Sequence, residues 1–350
     1  MEEYKSFREV RGRGTGDIRR GRFEKIQVSY LLEEARQIKT QVFKDTSRTI
    51  ISYNDSPDVG FSASLNPYRG CEHGCLYCYA RPTHEYLGLS LGLDFETKLF
   101  AKMDAAELLQ QEFDKKKWQP QVIVMSGVTD CYQPIEKKLE LTRACLEVAA
   151  RYKNPVVIIT KNHLVTRDID ILKELNRYQA IKVCISITSL DKKLATQLEP
   201  RASQPKRRLL AIEQLSGAGI PLCVNVAPII PGLNDHEIPQ ILKRAKEAGA
   251  KEAFYTMVRL PYGVKDIFSQ WLERYFPDRK DKVIHRIQEV RGGQLNVSTF
   301  GDRMIGVGPY AEHIAQMFNR YRKLYQLDQK IILSIKHFKR ESREQLSLFE

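Results

Sequence analysis

The chain has 350 residues, of which 42% are hydrophobic and 28% charged, and this composition excludes a disordered, collagen-like or fibrous protein. The longest apolar stretches, 155–159 and 220–230, are shorter than the roughly 20 residues that cross a bilayer, and the N-terminus carries no apolar segment of the signal-peptide kind. We therefore expect a cytoplasmic protein with no membrane partner. The net charge of +13 suits a polyanionic partner but does not choose between DNA and RNA.

Residues 1–48 contain a glycine-arginine stretch and predict a basic, flexible N-terminal arm. The glycines at 12, 14 and 16 follow no predicted strand and have the wrong spacing for a dinucleotide-binding fingerprint. We therefore expect no nucleotide site in this arm.

From residue 49 short apolar strands alternate with helices, which is typical of a parallel sheet with crossover helices. The predicted strands are 62–65, 122–125, 156–160, 182–187, 222–227 and 253–258. The predicted helices between them are 104–116, 137–151, 168–176, 205–217 and 238–248. This pattern gives six βα units. Further helices at 262–291 and 310–327 predict a helical C-terminal extension over 263–335, followed by a tail at 336–350.

Three of the seven cysteines, Cys71, Cys75 and Cys78, lie in one loop after the first predicted strand, in the sequence NPYRGCEHGCLYCY. Such clustering in a cytosolic chain indicates a metal site and not a disulfide framework. Three thiolates without an obvious fourth leave one coordination position open on an iron-sulfur cube. The alternatives are a zinc knuckle that recruits His73 or His84, and an electron-transfer cluster with Cys131 as a distant fourth ligand.

The cysteine loop and its place in the chain resemble the cluster motif of the radical S-adenosylmethionine (radical SAM) superfamily. The flanking segments NPYRGCEHGCLYCYAR, SGVTDCYQPIEKKLELTR, TKNHLVTRDIDIL, SITSLDKKLATQLEPRAS and APIIPGLND resemble the branch of spore photoproduct lyase and DNA-repair-photolyase-like proteins. The resemblance implies an α/β fold, a partial (β/α)6 TIM-type barrel over residues 49–262, with the helical extension behind it. It also implies a 4Fe-4S cluster and S-adenosyl-L-methionine as cofactors.

The resemblance assigns roles residue by residue. Cys71, Cys75 and Cys78 match the cluster ligands, which leave the fourth iron to S-adenosylmethionine. The residues that match cofactor-binding positions are Tyr77, Gly127, Thr129, Lys161, Ser186, Glu199 and Arg201, of which the last two suit either cofactor or substrate. Independently of the family, strand ends of a βα barrel meet at one mouth, so we expect Thr129, Lys161 and Ser186 to be neighbours.

Tyr77 and Tyr79 match a pair of tyrosines that relay a radical beside the cluster in spore photoproduct lyase. The cysteine that donates hydrogen to the product in that enzyme aligns with Gly127, and Cys131 lies a few residues further on. We therefore predict Tyr77, Tyr79 and Cys131 as catalytic residues, with a buried, inert thiol as the alternative for Cys131. The apolar surroundings of Cys145, Cys184 and Cys223 predict core residues.

The C-terminal residues Gln345, Leu346, Leu348 and Phe349 belong to a QLSLF segment that resembles the peptide by which bacterial DNA polymerases and repair proteins dock on the sliding clamp. A terminal segment has little opportunity to bury these side chains in its own core. The tail therefore predicts the bacterial sliding clamp as a partner, and packing on its own domain is the alternative.

Together the cluster loop, the tail and the charge predict a radical SAM enzyme of the lyase type. It would generate a 5'-deoxyadenosyl radical, act on a DNA lesion or another nucleic acid in repair, and receive electrons from a flavodoxin- or ferredoxin-type reductant. One rival is a radical SAM enzyme that modifies RNA or a protein. The other is a non-enzymatic, clamp-associated iron-sulfur protein that binds DNA.

Overall fold

The computed structural model describes residues 10–18, 21–23 and 38–340. The strands in these residues are β1 Gln41–Lys44, β2 Ile51–Tyr53, β3 Ala63–Leu65, β4 Tyr68–Arg69, β5 Lys98–Ala101, β6 Ile123–Met125, β7 Val156–Thr160, β8 Ile181–Ser186, β9 Leu222–Ile229 and β10 Glu252–Met257. They form a seven-stranded sheet in the order β10-β9-β8-β7-β6-β3-β2 and a small sheet in the order β1-β5-β4.

The helices are α1 Leu93–Thr97, α2 Ala105–Asp114, α3 Glu136–Leu139, α4 Leu141–Tyr152, α5 Ile169–Arg177, α6 Lys192–Leu198, α7 Pro205–Gly217, α8 Ile238–Glu247, α9 Val264–Tyr275, α10 Pro277–Glu289, α11 Asp302–Ile305 and α12 Pro309–Leu324. Short 3₁₀ helices occupy Arg81–Leu87, His163–Asp168 and Asp235–Glu237. In the described part of the chain, no helix combines the length and apolar character needed to cross a membrane.

Six strands of the large sheet, β3 and β6 to β10, run parallel, and the antiparallel β2 forms its edge beside β3. Helices connect successive parallel strands, and their apolar faces pack against the sheet in one large core. The sheet stays open between β2 and β10. The predicted fold class, a partial (β/α)6 barrel with a helical C-terminal extension, is confirmed.

Several element boundaries differ from the prediction. The predicted helix 137–151 is two helices, because Glu140 adopts φ 53° between α3 and α4. The predicted helix 262–291 ends at Tyr275 and restarts as α10 with Pro277, whose ring cannot continue the preceding helix. The small sheet was not predicted, because its strands have two to four residues and lack an alternating apolar pattern.

The glycine-arginine segment is not a flexible arm over residues 10–18, which corrects the prediction for that part. Arg13 and Thr15 are buried, and Arg13 donates hydrogen bonds to the carbonyl oxygens of Glu96 (2.7 Å) and Ile38 (2.8 Å). A Cβ at Gly14 would overlap the carbonyl oxygen of Gly74, so only glycine allows this close approach. The glycines therefore let the segment pack against the cysteine loop.

The segment after α12 crosses the end of the barrel at which the strands begin. Gln329 N donates to Lys251 O (3.2 Å) before β10, Ser334 N to Gln179 O (2.9 Å) before β8, and Lys339 N to Tyr152 O (3.0 Å) before β7. Arg340 donates to Trp118 O (3.0 Å) before β6. This strap, residues 325–340, thus closes the barrel opposite its mouth, and the predicted clamp-docking residues lie beyond it, outside the described residues.

Cys184 and Cys223 occupy paired positions on β8 and β9, with Cα atoms 4.5 Å apart, and are joined as a disulfide. Both are buried, as is Cys145, so the prediction that they are core residues is confirmed. The pairing was not predicted because the register between strands 39 residues apart cannot be read from a single sequence.

Candidate active site

Cys71, Cys75 and Cys78 lie on the loop of residues 66–80 that follows β3 at the mouth of the barrel. Strand β4 fixes the start of this loop against β5, and Cys71 N donates to Phe95 O at 2.9 Å. Gly70, with φ 78°, packs so tightly against His84 and Leu99 that a side chain would not fit. The backbone around the first cysteine is therefore rigidly placed.

Arg81 holds the rest of the loop in a fixed shape. Its guanidinium donates to the carbonyl oxygens of Cys75 (2.9 Å), Gly74 (3.0 Å) and Gly92 (3.0 Å) and pairs with the Glu96 carboxylate at 2.6 Å. Both charged side chains are wholly buried. A planar guanidinium with donors in a fixed fork suits this set of acceptors, which a lysine could not bind simultaneously.

The Glu96 carboxylate also accepts hydrogen bonds from the backbone of the N-terminal segment. Gly14 N lies 2.7 Å and Thr15 N 3.2 Å from its oxygens. Burial raises the pKa of Glu96, and the guanidinium of Arg81 opposes that rise. One buried ion pair therefore joins the N-terminal segment to the cysteine loop.

A second connection joins the loop to two strand ends of the barrel. His73 is buried, with Nδ1 3.3 Å from Asp130 Oδ2 and Nε2 3.2 Å from Asn162 Nδ2. Asp130 follows β6 and accepts hydrogen bonds from Thr160 (2.7 Å) and Lys161 N (2.8 Å) at the end of β7. Although burial alone would raise the pKa of Asp130, His73 and these hydrogen bonds lower it to about 2.

The three thiols have the character of ligands to an iron-sulfur cluster. Burial raises the pKa of each thiol of Cys71, Cys75 and Cys78, so the free side chains are protonated and unreactive at neutral pH. Metal coordination deprotonates such thiols outright. Backbone N–H groups hydrogen-bond to the sulfurs of Cys71 and Cys78, which favours the thiolate form that a cluster requires.

Among the residues that the structure describes, no group of three His, Cys, Asp or Glu side chains is placed to hold a single metal ion. A 4Fe-4S cluster does not need such convergence, because each cysteine binds a different iron atom. The buried donor set therefore fits a cluster.

The sequence profile of the radical SAM superfamily matches residues 65–245, which include all three cysteines and four whole parallel strands, β6 to β9. The chain belongs to the radical SAM superfamily. This membership implies a 4Fe-4S cluster and S-adenosylmethionine as cofactors. When bound, they supply a carbon-centred radical that abstracts hydrogen from a substrate.

Relatives and solved structures agree with this membership. An uncharacterised protein of Mycobacterium tuberculosis is 32% identical over 265 residues, which is 75% of this chain and 75% of the relative. An uncharacterised protein of Methanocaldococcus jannaschii is 29% identical over 71% of this chain and 88% of its own. Spore photoproduct lyase complexed with dinucleoside spore photoproduct superposes with a TM-score of 0.58 at 17% identity, over 85% of each chain. At this identity the likeness to spore photoproduct lyase shows a shared fold.

Tyr77 and Glu199 belong to a buried network beneath the cysteine loop of this radical SAM enzyme. The hydroxyl of Tyr77 donates to the Glu199 carboxylate, which also accepts from Thr188 (2.6 Å) and pairs with Arg208. Arg208 in turn donates to Ser186 O at 3.0 Å. Because these partners already occupy both carboxylate oxygens, the network fixes the loop to β8, and the contact of Glu199 with a cofactor stays a prediction.

The predicted cofactor contacts Gly127, Thr129, Lys161 and Ser186 follow or end β6, β7 and β8, so they share the carboxyl-terminal edge of the sheet. Lys161 Nζ lies 6.0 Å from the centre of the Tyr77 ring, which brings its ammonium to the cysteine loop. Thr129 is buried, and its hydroxyl donates to Tyr68 O at 3.1 Å. That these four residues bind S-adenosylmethionine stays a prediction.

Tyr79 and Arg201 lie on different sides of the cysteine loop. Tyr79 is 47% exposed, and its hydroxyl donates to Gly127 O at 2.7 Å. Arg201 pairs with Glu72 at 3.0 Å, and Glu72 also accepts from Thr40 at 2.5 Å beside the N-terminal segment. Arg201 therefore faces the buried side of the loop, and its contact with cofactor or substrate stays a prediction.

Cys131 is wholly buried within the large core between the sheet and its helices. A cysteine that donates hydrogen to a product must contact that product. This burial suits the alternative of an inert thiol, and the catalytic role of Cys131 stays a prediction. Burial also raises the pKa of its thiol, as expected for a core cysteine.

Three residues that fix the shape of the cysteine loop, Arg81, Glu96 and His73, were not predicted to do so. Arg81 ends the segment NPYRGCEHGCLYCYAR but was given no role, Glu96 lies outside the family segments, and His73 was considered only as a metal ligand. A buried charge is recognisable from sequence only when its partner is known, and Glu96 lies 15 residues beyond Arg81 on a different element.

We expect Cys71→Ala, Cys75→Ala and Cys78→Ala each to abolish a cluster that contains about four irons per chain, because each cysteine would ligate its own iron. Cys131→Ala should keep its iron, since Cys131 lies in the core. Iron analysis and electron paramagnetic resonance after anaerobic reconstitution measure both outcomes. Loss of the cluster in Cys131→Ala would indicate a four-cysteine centre instead.

We expect Arg81→Met to lower the free energy of unfolding by about 3–5 kcal/mol, because it leaves the buried Glu96 carboxylate without its partner. Urea unfolding followed by circular dichroism measures the change. The control Arg177→Met, in an exposed pair with Glu174, should cost less than about 1 kcal/mol. The double variant Arg81→Met, Glu96→Gln should recover part of the loss, and equal losses in Arg81→Met and the control would contradict the argument.

Proposed function

We propose that this radical SAM enzyme is a DNA-repair lyase of the spore photoproduct lyase type, which acts on a base lesion in the cytoplasm with a flavodoxin- or ferredoxin-type reductant. The observation that carries the proposal is the surface formed by Tyr79 and Arg259 at the mouth. Tyr79 follows the cluster ligand Cys78 directly, and the guanidinium of Arg259, after β10, lies 5.1 Å from the centre of its ring. The net charge of +13 adds attraction for a polyanion.

An exposed aromatic ring backed by an arginine suits a nucleobase. Bases stack on aromatic side chains with about 1–3 kcal/mol per base, and arginine adds a cation–π contribution. The ring of Tyr79 adjoins the last cluster ligand, so a base held there would lie beside the position where the radical chemistry begins. The open side of the sheet between β2 and β10 gives a large substrate access to this position.

The tyrosine hydroxyl has a second role in the proposal. Gly127 occupies the position at which spore photoproduct lyase carries its hydrogen donor, and Cys131 is buried in the core. Tyr79 has an O–H group at the mouth, 2.7 Å from Gly127 O. Tyr79 therefore returns a hydrogen atom to the product radical and becomes a tyrosyl radical itself. One electron from the flavodoxin- or ferredoxin-type reductant and one proton from solvent then restore the tyrosine, while Lys161 and Ser186 orient the cofactor.

The test is anaerobic reconstitution with S-adenosylmethionine, reductant and irradiated DNA, followed by mass spectrometry of nucleosides. Tyr79→Phe should form 5'-deoxyadenosine within about twofold of the wild type, because cofactor cleavage precedes the hydrogen return, but repaired nucleoside should fall at least about tenfold. The control Tyr86→Phe, whose side chain is exposed away from the cysteines, should behave as wild type. No change of any nucleoside with wild-type enzyme would instead favour an RNA or protein substrate.

The proposal includes recruitment by the C-terminal tail to the sliding clamp, which rests on the QLSLF segment alone. Side chains of an extended peptide can fill pockets of a preformed groove. Leu348→Ala with Phe349→Ala should abolish saturable binding to the bacterial clamp, measured by fluorescence anisotropy, because the two largest anchors are removed. Ser347→Ala is the control and should bind as wild type. Equal binding by the double variant would show that the tail is no docking peptide.

A further inference from the structure

Asp58 and Arg303 form an ion pair across the open side of the barrel. Asp58 lies in the turn between β2 and β3 at one end of the large sheet, and Arg303 lies in α11, which packs beside β10 at the other end. The guanidinium donates to both carboxylate oxygens, at 2.5 and 2.7 Å, and Gly301 N adds a third hydrogen bond at 3.0 Å. The pair thus joins two sheet ends that no backbone hydrogen bond joins in the described residues.

The pair continues to the mouth through a chain of contacts. Arg259 donates to the sulfur of Met304, next to Arg303, at 3.8 Å and lies over the ring of Tyr79. The Nε of Arg259 is buried and has no hydrogen-bond partner in the structure. On the outer side, the guanidinium of Arg303 lies 4.7 Å from the centre of the Phe300 ring, which is 55% exposed. Cationic and aromatic groups therefore extend from the ion pair to the cysteine loop.

Positive charge exceeds negative charge among the side chains at the open side of the barrel. Arg259 interacts electrostatically with Arg303 and Asp58, so the Asp58 carboxylate faces two guanidiniums. Arg291 also interacts with Arg259 and with the carboxylate of Asp302, and its guanidinium donates to the carbonyl oxygens of Val258 (2.8 Å) and Asp302 (2.5 Å). Three guanidiniums thus face two carboxylates. A second anion is therefore electrostatically favoured beside Arg259 and Arg303.

We propose that Asp58–Arg303 is a latch over the substrate entrance, and that a backbone phosphodiester of DNA replaces the Asp58 carboxylate at Arg303 when the substrate enters. A guanidinium binds phosphate and carboxylate through the same two-pronged geometry, so the exchange keeps the arginine paired. Arg259 then lies behind the phosphate, and Phe300 and Tyr79 contact neighbouring bases. This inference rests on the proposed function, because it specifies how the same mouth binds DNA.

The latch predicts opposite changes in DNA affinity for two variants that break the same ion pair. Asp58→Asn removes the competitor of the phosphate and should tighten binding of a fluorescein-labelled, twelve-nucleotide single strand by about threefold or more. Arg303→Gln removes the phosphate contact and should weaken binding by about tenfold, with a salt-dependence slope smaller by about one. The double variant should bind within about twofold of Arg303→Gln, because both variants lack the two-pronged phosphate contact at Arg303.

Fluorescence anisotropy with the reconstituted holoenzyme at fixed salt measures these affinities, and thermal unfolding reports the shared loss of the ion pair. The controls Glu273→Gln and Lys280→Gln alter the net charge equally in an exposed pair on α9 and α10 and should bind within about twofold of the wild type. If Asp58→Asn weakens binding as Arg303→Gln does, the pair only supports the fold and the latch is wrong. If the wild type binds no strand at any concentration, the proposed DNA substrate itself is wrong.

Discussion

The buried ion pair of Arg81 and Glu96 is the interaction on which the cysteine loop depends. Leu76 and Tyr77 of the loop pack in an apolar cluster, but the backbone carbonyl groups around Gly74 and Cys75 need polar partners. Arg81 binds the carbonyl oxygens of Gly74 and Cys75 from within the protein, and Glu96 compensates the charge that this requires. Such a pair contributes little net stability compared with apolar residues of similar volume, but removal of one partner is costly. The buried guanidinium of Arg81, paired with Glu96, therefore holds the loop in one conformation.

A second buried pair, Glu199 with Arg208, acts in the same way on the barrel side of the loop. It joins Tyr77 to the end of β8, while Asp130 joins His73 to the end of β7. The cysteines are thus positioned from the N-terminal segment on one side and from the sheet on the other. In the described residues the side of the loop that carries Tyr79 stays accessible to solvent.

The sequence predicted the features that depend on local patterns. Six apolar strands between helices are recognisable because periodicity and length are local, and the cysteine spacing is diagnostic because one loop carries all three ligands. The flexible-arm interpretation of residues 10–18 was wrong there because composition does not reveal that Gly14 fits against Gly74. The burial of Cys131 was likewise not predictable, because the sequence does not show that the turn after β6 places its side chain in the core. Hydrogen bonds between residues more than 60 positions apart, such as that from Glu72 N to Gln133, can be identified only once the fold is known.

The contact between Asp58 and Arg303 also has a consequence for the order in which the chain can fold. The two residues are separated by 245 positions, so a chain emerging from the ribosome has completed β2, β3 and most of the parallel sheet before Arg303 exists. Strand β2 is an edge strand of the large sheet, and its unpaired backbone groups can recruit another chain while the later elements are still being synthesised. Contacts of such sequence separation form late and slow the final step of folding. The ion pair therefore forms only after every strand of the large sheet has been synthesised.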